Sequence, residues 1–421
     1  MKNTSLRTAG SLVAASVLAL GLAGCAESSG SSGAGNGGGE SVPVGADQET
    51  YVDALADMDP VTLQMQSTAP QGAATGRRFE DYAAAVEEWS GGKISFEIAY
   101  ANAIAPVPEV DDALVDGRLD VGSVIAALEP SKFPVNNALW DLSFIGSQEP
   151  VEGLLQWHGA MIQTAVESDA VQQEFEENGL HALLPTFGSG SYFWDCVEPA
   201  TTEDDFAGRT VASQSRIQNL QAEALGMSPS TISYAEMFES LERGVVDCAA
   251  SSMTTSSLGG FIPAAPYFSY APDEGMAAPG GTFAISLATW EQLPLAAQQL
   301  LQDRMDVVLQ ANFEATWENI DAGLTAIADA DGEVVQLDPA AQEVIAGVND
   351  AALEEVRGDN PELADALVAA EDAWAEQVEG LGIEGVDVDY TGYQDWYANG
   401  TPDLTAYFEQ LQDVLSSQRP S

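Results

Sequence analysis

Basic residues are scarce in this sequence. Of 421 residues, 13 are Lys or Arg against 66 Asp or Glu, a formal net charge of −53. Such a balance repels phosphate backbones and anionic lipid head groups, so a general nucleic-acid binder is excluded. Two histidines and three cysteines leave little material for histidine-based catalysis or a zinc site, and neither a metal nor a cofactor is expected. Beyond the first 25 residues no uninterrupted apolar run reaches the length of about 18 that a membrane-spanning helix needs. What is present is a hydrophobic fraction of 45%, which rules out disorder along the whole length and suffices for two or three compact units.

The amino terminus reads as an address. Lys2 and Arg7 form a short positive region, and Ser11 to Gly21 an apolar stretch too short to span a bilayer stably. It closes in Leu22-Ala23-Gly24-Cys25, which resembles a bacterial lipobox. In such signals the cysteine is diacylated and becomes the first mature residue. Ala26 to Gly45 is dominated by Ser and Gly, a flexible tether whose reach is roughly 25 Å. The expected mature protein keeps 11 basic and 66 acidic residues, 11 − 66 = −55. It is extracytoplasmic, anchored to the cell membrane through lipid on Cys25 rather than spanning it.

The remainder alternates strand and helix. Val61 to Gln66 alternates apolar and polar residues, as a strand does. Phe79, Tyr82, Ala83, Val86 and Trp89 then fall at helical spacing, and Gly91-Gly92 ends that helix. A strand at 93–100, a short helix at 110–115 and an apolar strand at 119–125 complete a β-α-β-α-β run. That is the rhythm of a mostly parallel sheet flanked by helices. A second cycle opens near Leu180, with strands predicted at 180–185, 192–197, 210–212 and 245–249, helices at 217–225 and 235–243, and a returning strand at 282–287. The fold class is therefore α/β, in two lobes with a cleft between them. Leu301, Met305, Leu309, Phe313, Trp317, Ile320, Leu324 and Ile327 step by three and four through 295–330. A continuous helix there of about 36 residues, roughly 54 Å long, is a strut able to touch both lobes; the alternative is two helices with an unseen break.

Several segments together resemble the substrate-binding subunit of tripartite ATP-independent periplasmic (TRAP-type) transporters, the DctP-like family. They are RRFEDYAAAVEEWSGGKISFEI (77–98), GRLDVGSV (117–124), FPVNNALWDLSFI (133–145), DDFAGRTVA (204–212) and ALGMSPSTISYAEMFESLERGVVDC (224–248). The resemblance covers about 61–345. It implies a two-lobed, non-enzymatic binding protein that closes on a small solute, by default an organic acid, and delivers it to membrane permease subunits. Lobe I is expected at 60–186 plus about 282–310, and lobe II at 187–281 plus about 311–345. These follow a signal peptide (1–24) and the lipidated tether (25–50), and 346–421 is a C-terminal helical extension.

The family clamps its ligand's carboxylate with an arginine in the strand after the Asp-x-x-Gly turn, a sensible use of a planar fork. Here Ala212 occupies that position, a second frequent arginine falls near Tyr192, and the family's polar Asp-Gly-Gln-Glu-Asn segment is Asp247-Cys248-Ala249-Ala250-Ser251. Two readings follow. In one, Arg216 at the start of the next helix takes over the clamp, its alternative being an interlobe arginine paired with one of the many acids. In the other the ligand carries no carboxylate, or its carboxylate is bound weakly, and it packs on aromatic faces at Tyr192, Phe193 and Trp194, with Tyr192 and Trp194 sharing one side of their strand; the alternative is that these side chains fill the lobe core. Ser251, Arg77 and Trp140 complete the candidate ligand-binding set, although core packing is the more natural role for Trp140. Arg77 and Arg78 stand out together because bases are so scarce, one of them a candidate to face the cleft, with a solvated helix face the alternative. Cys196 and Cys248, 52 residues apart, are a candidate disulfide between two cleft-bordering strands, the alternative being two buried free thiols.

Other motifs dissolve on inspection. GSGSY (188–192) is not a G-x-S-x-G elbow, because Gly190 stands where the serine belongs. The run Asp387 to Gly392 opens like a calcium loop, but Ala398 occupies the position that needs a bidentate Glu. The rival function is a ligand-sensing lipoprotein, or the binding subunit of another transporter class, with a non-carboxylate ligand.

Overall fold

The computed structural model describes residues 41–421; Cys25, the signal peptide and most of the tether lie outside them. The tether, expected to reach residue 50, is docked from Val42, whose N–H donates to Gln299 at 2.8 Å, and Gln48–Ala54 is already helical.

Two mixed sheets carry the fold. The first has β1 (Val61–Gln66), β2 (Ile94–Ala99), β3 (Val121–Val124), β4 (Leu180–Phe187) and, from far along the chain, β10 (Gly281–Ser286). The second has β5 (Tyr192–Cys196), β6 (Thr210–Ala212), β7 (Ser228–Ser230), β8 (Cys248–Ser252), β9 (Tyr267–Tyr270) and β11 (Glu333–Gln336). Their orders are β2-β1-β3-β10-β4 and β11-β9-β5-β8-β6-β7. In each sheet one strand opposes its neighbours: β10 runs antiparallel to β3 and β4, and β5 to β8 and β9. Each of those two strands is the first after a passage from the other lobe, whereas β11, which follows the third passage, runs parallel to β9; "mostly parallel" holds for the remainder of each sheet.

Local sequence explains the elements. Leu63 and Met65 face the core from β1, and Phe79, Tyr82 and Val86 from the helix Arg77–Trp89. Gly91 and Gly92, at φ 62° and 79°, turn that helix off in a region a β-carbon resists. On β5 the side chains part as period 2 requires: Tyr192, Trp194 and Cys196 enter the second lobe's core, while Phe193 joins the other cluster.

The strut is shorter than expected. It is broken at Arg304, giving Leu295–Asp303 and a 25-residue helix Met305–Asp329. Arg304 itself has φ −85° and ψ 9°, its guanidinium lies 3.8 Å over the Trp89 ring, and it pairs with Asp306 at 3.2 Å. Asp306 Oδ1 accepts the Val307 N–H at 2.8 Å, so side chains hold the turn that apolar spacing alone runs straight through. The longer piece still touches both lobes. Asn312 meets Arg78 of lobe I, and Gly323 lies against Met253 of lobe II.

Beyond it the chain is helical, as Pro339–Asp359, Pro361–Gly380, Tyr393–Ala398 and Thr405–Ser416. A boundary at 345/346 therefore falls inside a helix. Pro361–Gly380 sits on the lobe I helix Glu152–Glu167, where Trp374 covers Gly159 so closely that a β-carbon there would be 2.1 Å from the indole. Pro339–Asp359 instead meets lobe II, through Asn349 and Gln221 at 2.8 Å. No described helix is long and apolar enough to cross a membrane.

Candidate functional site

The chain passes between the lobes at three places: residues 187–192, residues 270–281 and the helix Met305–Asp329. Ligand sites in open α/β sheets lie beyond the carboxyl ends of parallel strands, which here places the site beside Phe187 to Ser191. A cavity of about 20 Å³ lies there, room for about one water. Its walls come from the helix Glu152–Glu167 (Trp157, His158), the first crossing (Gly188, Gly190, Ser191) and the second (Met276, Ala278). The lobes are closed on this seam. Ser189 Oγ and Ser252 Oγ are 2.8 Å apart, Ser191 Oγ donates to Gln148 O at 2.8 Å, and Ser143 Oγ both donates to Ala278 O and accepts its N–H.

A polar relay fixes the first crossing. His158 Nδ1 lies 2.8 Å from Leu154 O, and its Nε2 accepts the Gly188 N–H at 3.1 Å. The ring is therefore a neutral Nδ1–H tautomer, and burial holds its pKa down at about 4. On the other side, Gly188 O accepts Asn312 Nδ2 at 3.0 Å, and Asn312 Oδ1 accepts Arg78 Nη1 at 2.7 Å. Arg78 is buried, its guanidinium 4.8 Å from the Phe187 ring and 5.3 Å from Phe79. Burial lowers its pKa to about 10, so it remains a cation at neutral pH. Glu149, near the same seam, is pushed up to about 7 by burial first and then by Asp389 and Asp273.

The residues singled out from sequence are not gathered in one place. Arg216 begins the helix Arg216–Ala224, and its guanidinium is held by two acids. Nη2 and Nε meet Asp141 at 2.7 and 3.0 Å, and Nη1 meets Glu355 at 3.0 Å. It joins lobe II to lobe I and to the C-terminal helices. Tyr192 and Trp194 are buried in lobe II beside Cys196 and Val211. Ala212 is buried among Met237, Leu241 and Phe261. Ser251 is buried, donating to Ser252 O and accepting from Ser256. Arg77 pairs with Glu318. Trp140 is buried 5.8 Å from Trp157 and lies on Gly280. A disulfide joins Cys196 to Cys248 across the β5–β8 pair. Asp389 of the calcium-like loop spends one oxygen on Thr391 and the Gly392 N–H.

Sequence reasoning passed over Asn312 and gave the two histidines no role; it marked Arg77 and Arg78 together as scarce cations and carried only Arg77 forward, whereas the buried one is Arg78. Arg78 carried a signal: an arginine in a chain so poor in bases, at the first turn of a helix that follows a strand.

Two α/β lobes, crossed three times and closed on a polar seam, define a bilobal binding protein. The chain belongs to the bacterial extracellular solute-binding protein family 7 (DctP), whose model matches residues 65–359. It is 23% identical over 271 residues to a solute-binding protein of Chromohalobacter salexigens, covering 64% of this chain and 77% of that one. Its fold is similar to that of a TRAP periplasmic solute-binding protein from the same organism with bound D-glucuronate. There the TM-score is 0.61 at 18% identity, with 74% of this chain and 99% of that chain covered. It is also similar to the sugar acid binding protein of Advenella mimigardefordensis in complex with galactonate, with TM-score 0.63, 16% identity, and 76% and 100% covered.

Proposed function

We propose that this protein captures a small organic acid between its lobes and delivers it to the membrane subunits of a TRAP-type transporter, held at the membrane by lipid on Cys25. The observation that carries the reading is the closed seam. A cavity of about 20 Å³ admits no solute, so capture requires the lobes to part and reclose. A ligand drives that change only by binding the closed form better. Proteins of similar fold were solved with galacturonate, glucuronate, galactonate, pyroglutamate and metahydroxyphenylacetate, all organic acids. Cys25 at the end of a short apolar stretch supports the anchor, and membership in a solute-binding family supports a role without catalysis.

The test is a thermal-shift panel on residues 41–421 against those acids, neutral sugars and polyols, and cationic or zwitterionic solutes. A solute at 100 times its dissociation constant adds about 2.7 kcal/mol, so a cognate acid gives a clear rise in Tm. Responses confined to neutral or cationic solutes would overturn the organic-acid reading and favour the alternative ligand class.

A further inference from the structure

Most of the described cations in this protein meet acids. Arg77, Arg118, Arg216, Arg243, Arg304, Arg357 and Arg419 pair with carboxylates, and so does Lys132. Lys93 and Arg209 are half-buried and donate to backbone carbonyls. Arg78 is different: 7% exposed, it has no carboxylate partner among the described residues. Of its donors Nη1 is engaged by Asn312, while Nε is buried with no acceptor. Among the described residues no carboxylate pairs with this buried arginine, in a chain that has 66 acidic residues. Burying a guanidinium without a counter-charge is costly, and the fold here holds that charge in place.

Its location gives the charge a use. Arg78 lies in the first turn of the helix that follows β1, at the carboxyl edge of the lobe I sheet. It touches two of the three interlobe segments, through Phe187 and Asn312. The next residue after Phe187, Gly188, lines the seam cavity. Asn312 is itself held by Gly188 O at 3.0 Å, so the guanidinium is aimed by a rigid helix and a fixed amide. The other lobe offers no free fork of this kind. Arg216 is held by Asp141 and Glu355, Arg243 by Glu239, and Arg209 by the carbonyls of Glu198 and Pro199.

We infer that Arg78 is the anion anchor of the interlobe site, contributed by lobe I, and that the solute is a small carboxylate whose oxygens pair with this guanidinium. The inference rests on the solute-binding reading above. A planar, always-charged fork with unused donors suits a carboxylate in bidentate geometry. A desolvated setting makes that pair far stronger than an exposed one. The solute then supplies the negative charge that the fold withholds.

The experiment uses isothermal titration of residues 41–421 with glucuronate, galacturonate, galactonate, pyroglutamate and 3-hydroxyphenylacetate, and with the primary amide of the tightest acid. The wild type should prefer the acid to its amide by 100-fold or more. Arg78→Gln should lose at least 100-fold in acid affinity and most of that preference, with Arg78→Lys in between. Asn312→Asp is the second variant, because it places a carboxylate on Arg78 without removing the charge. It should keep the fold and still weaken the acid at least 10-fold. Acid binding unchanged in Asn312→Asp, or in a folded Arg78→Gln, would overturn the anchor while leaving the solute-binding function standing. A wild type that binds only neutral or cationic solutes would overturn both.

Discussion

Acid should weaken this protein through His158, and the size of the effect follows from its surroundings. The ring is fully buried between Leu154 O and the Gly188 N–H, with no carboxylate to welcome a proton, and its pKa falls from 6.5 to about 4. The unfolded chain binds a proton on this residue below pH 6.5, whereas the folded chain refuses it until about pH 4. Its contribution is therefore complete above pH 6.5 and is lost as pH falls through that window. The full shift corresponds to about 3 kcal/mol, and about 2 kcal/mol is gone by pH 5. Glu149, raised to about 7, works the other way, and its contribution is present below its ordinary value and lost as pH rises towards 7. His181, also lowered to about 4 by burial, adds to the histidine effect. The comparison must therefore isolate one residue. Urea unfolding of wild type and His158→Gln at pH 7.5 and pH 5 does so, since Glu149 and His181 are common to both. Glutamine can accept the Gly188 N–H but takes no proton. The variant should be less stable by about 1–3 kcal/mol at pH 7.5, and that gap should shrink by about 2 kcal/mol at pH 5. Parallel losses in the two proteins would refute the assignment of a buried neutral imidazole.

Arg216→Ala removes two half-exposed ion pairs that together contribute roughly 0.5–2 kcal/mol. Its main expected effect is on opening, with a larger radius of gyration for the ligand-free protein by small-angle scattering; an unchanged radius would deny Arg216 a latching role. Reducing Cys196–Cys248, or replacing both with serine, frees a 52-residue separation and should cost about 4 kcal/mol by the loop-entropy estimate. A Tm unmoved by reductant, with thiol titration showing full reduction, would contradict that.

Periodicity made the lobes readable. Val61–Gln66, Val110–Val115 and Thr210–Ala212 are strands and a helix at the bounds their patterns predict. It failed where composition is bland. The strand expected at 245–249 is Cys248–Ser252, because Val245 is exposed and the small residues CAASS fill the buried strand instead. The break at Arg304 is held by side chains rather than by Gly or Pro, and so leaves no punctuation in the sequence. The site was legible only in outline. Residues 78, 158, 188 and 312 come from four distant segments, and their hydrogen bonds exist only once the lobes are assembled. Arg216 and Tyr192 stood out by aligned position, a criterion blind to which acids or apolar neighbours would claim them.

The two opposing strands carry a consequence for how the chain acquires its shape. β10 lies between β3 and β4, yet its residues, Gly281–Ser286, follow nearly the whole of the second lobe. Until they arrive, lobe I is two strips with bare edges, and lobe II in turn lacks its edge strand β11 (Glu333–Gln336). Neither half can mature alone, so completion is late and dominated by distant pairings, the regime in which folding is slow. A polypeptide that stays open until most of it has been made suits passage across a membrane as an extended thread, folding only on the far side.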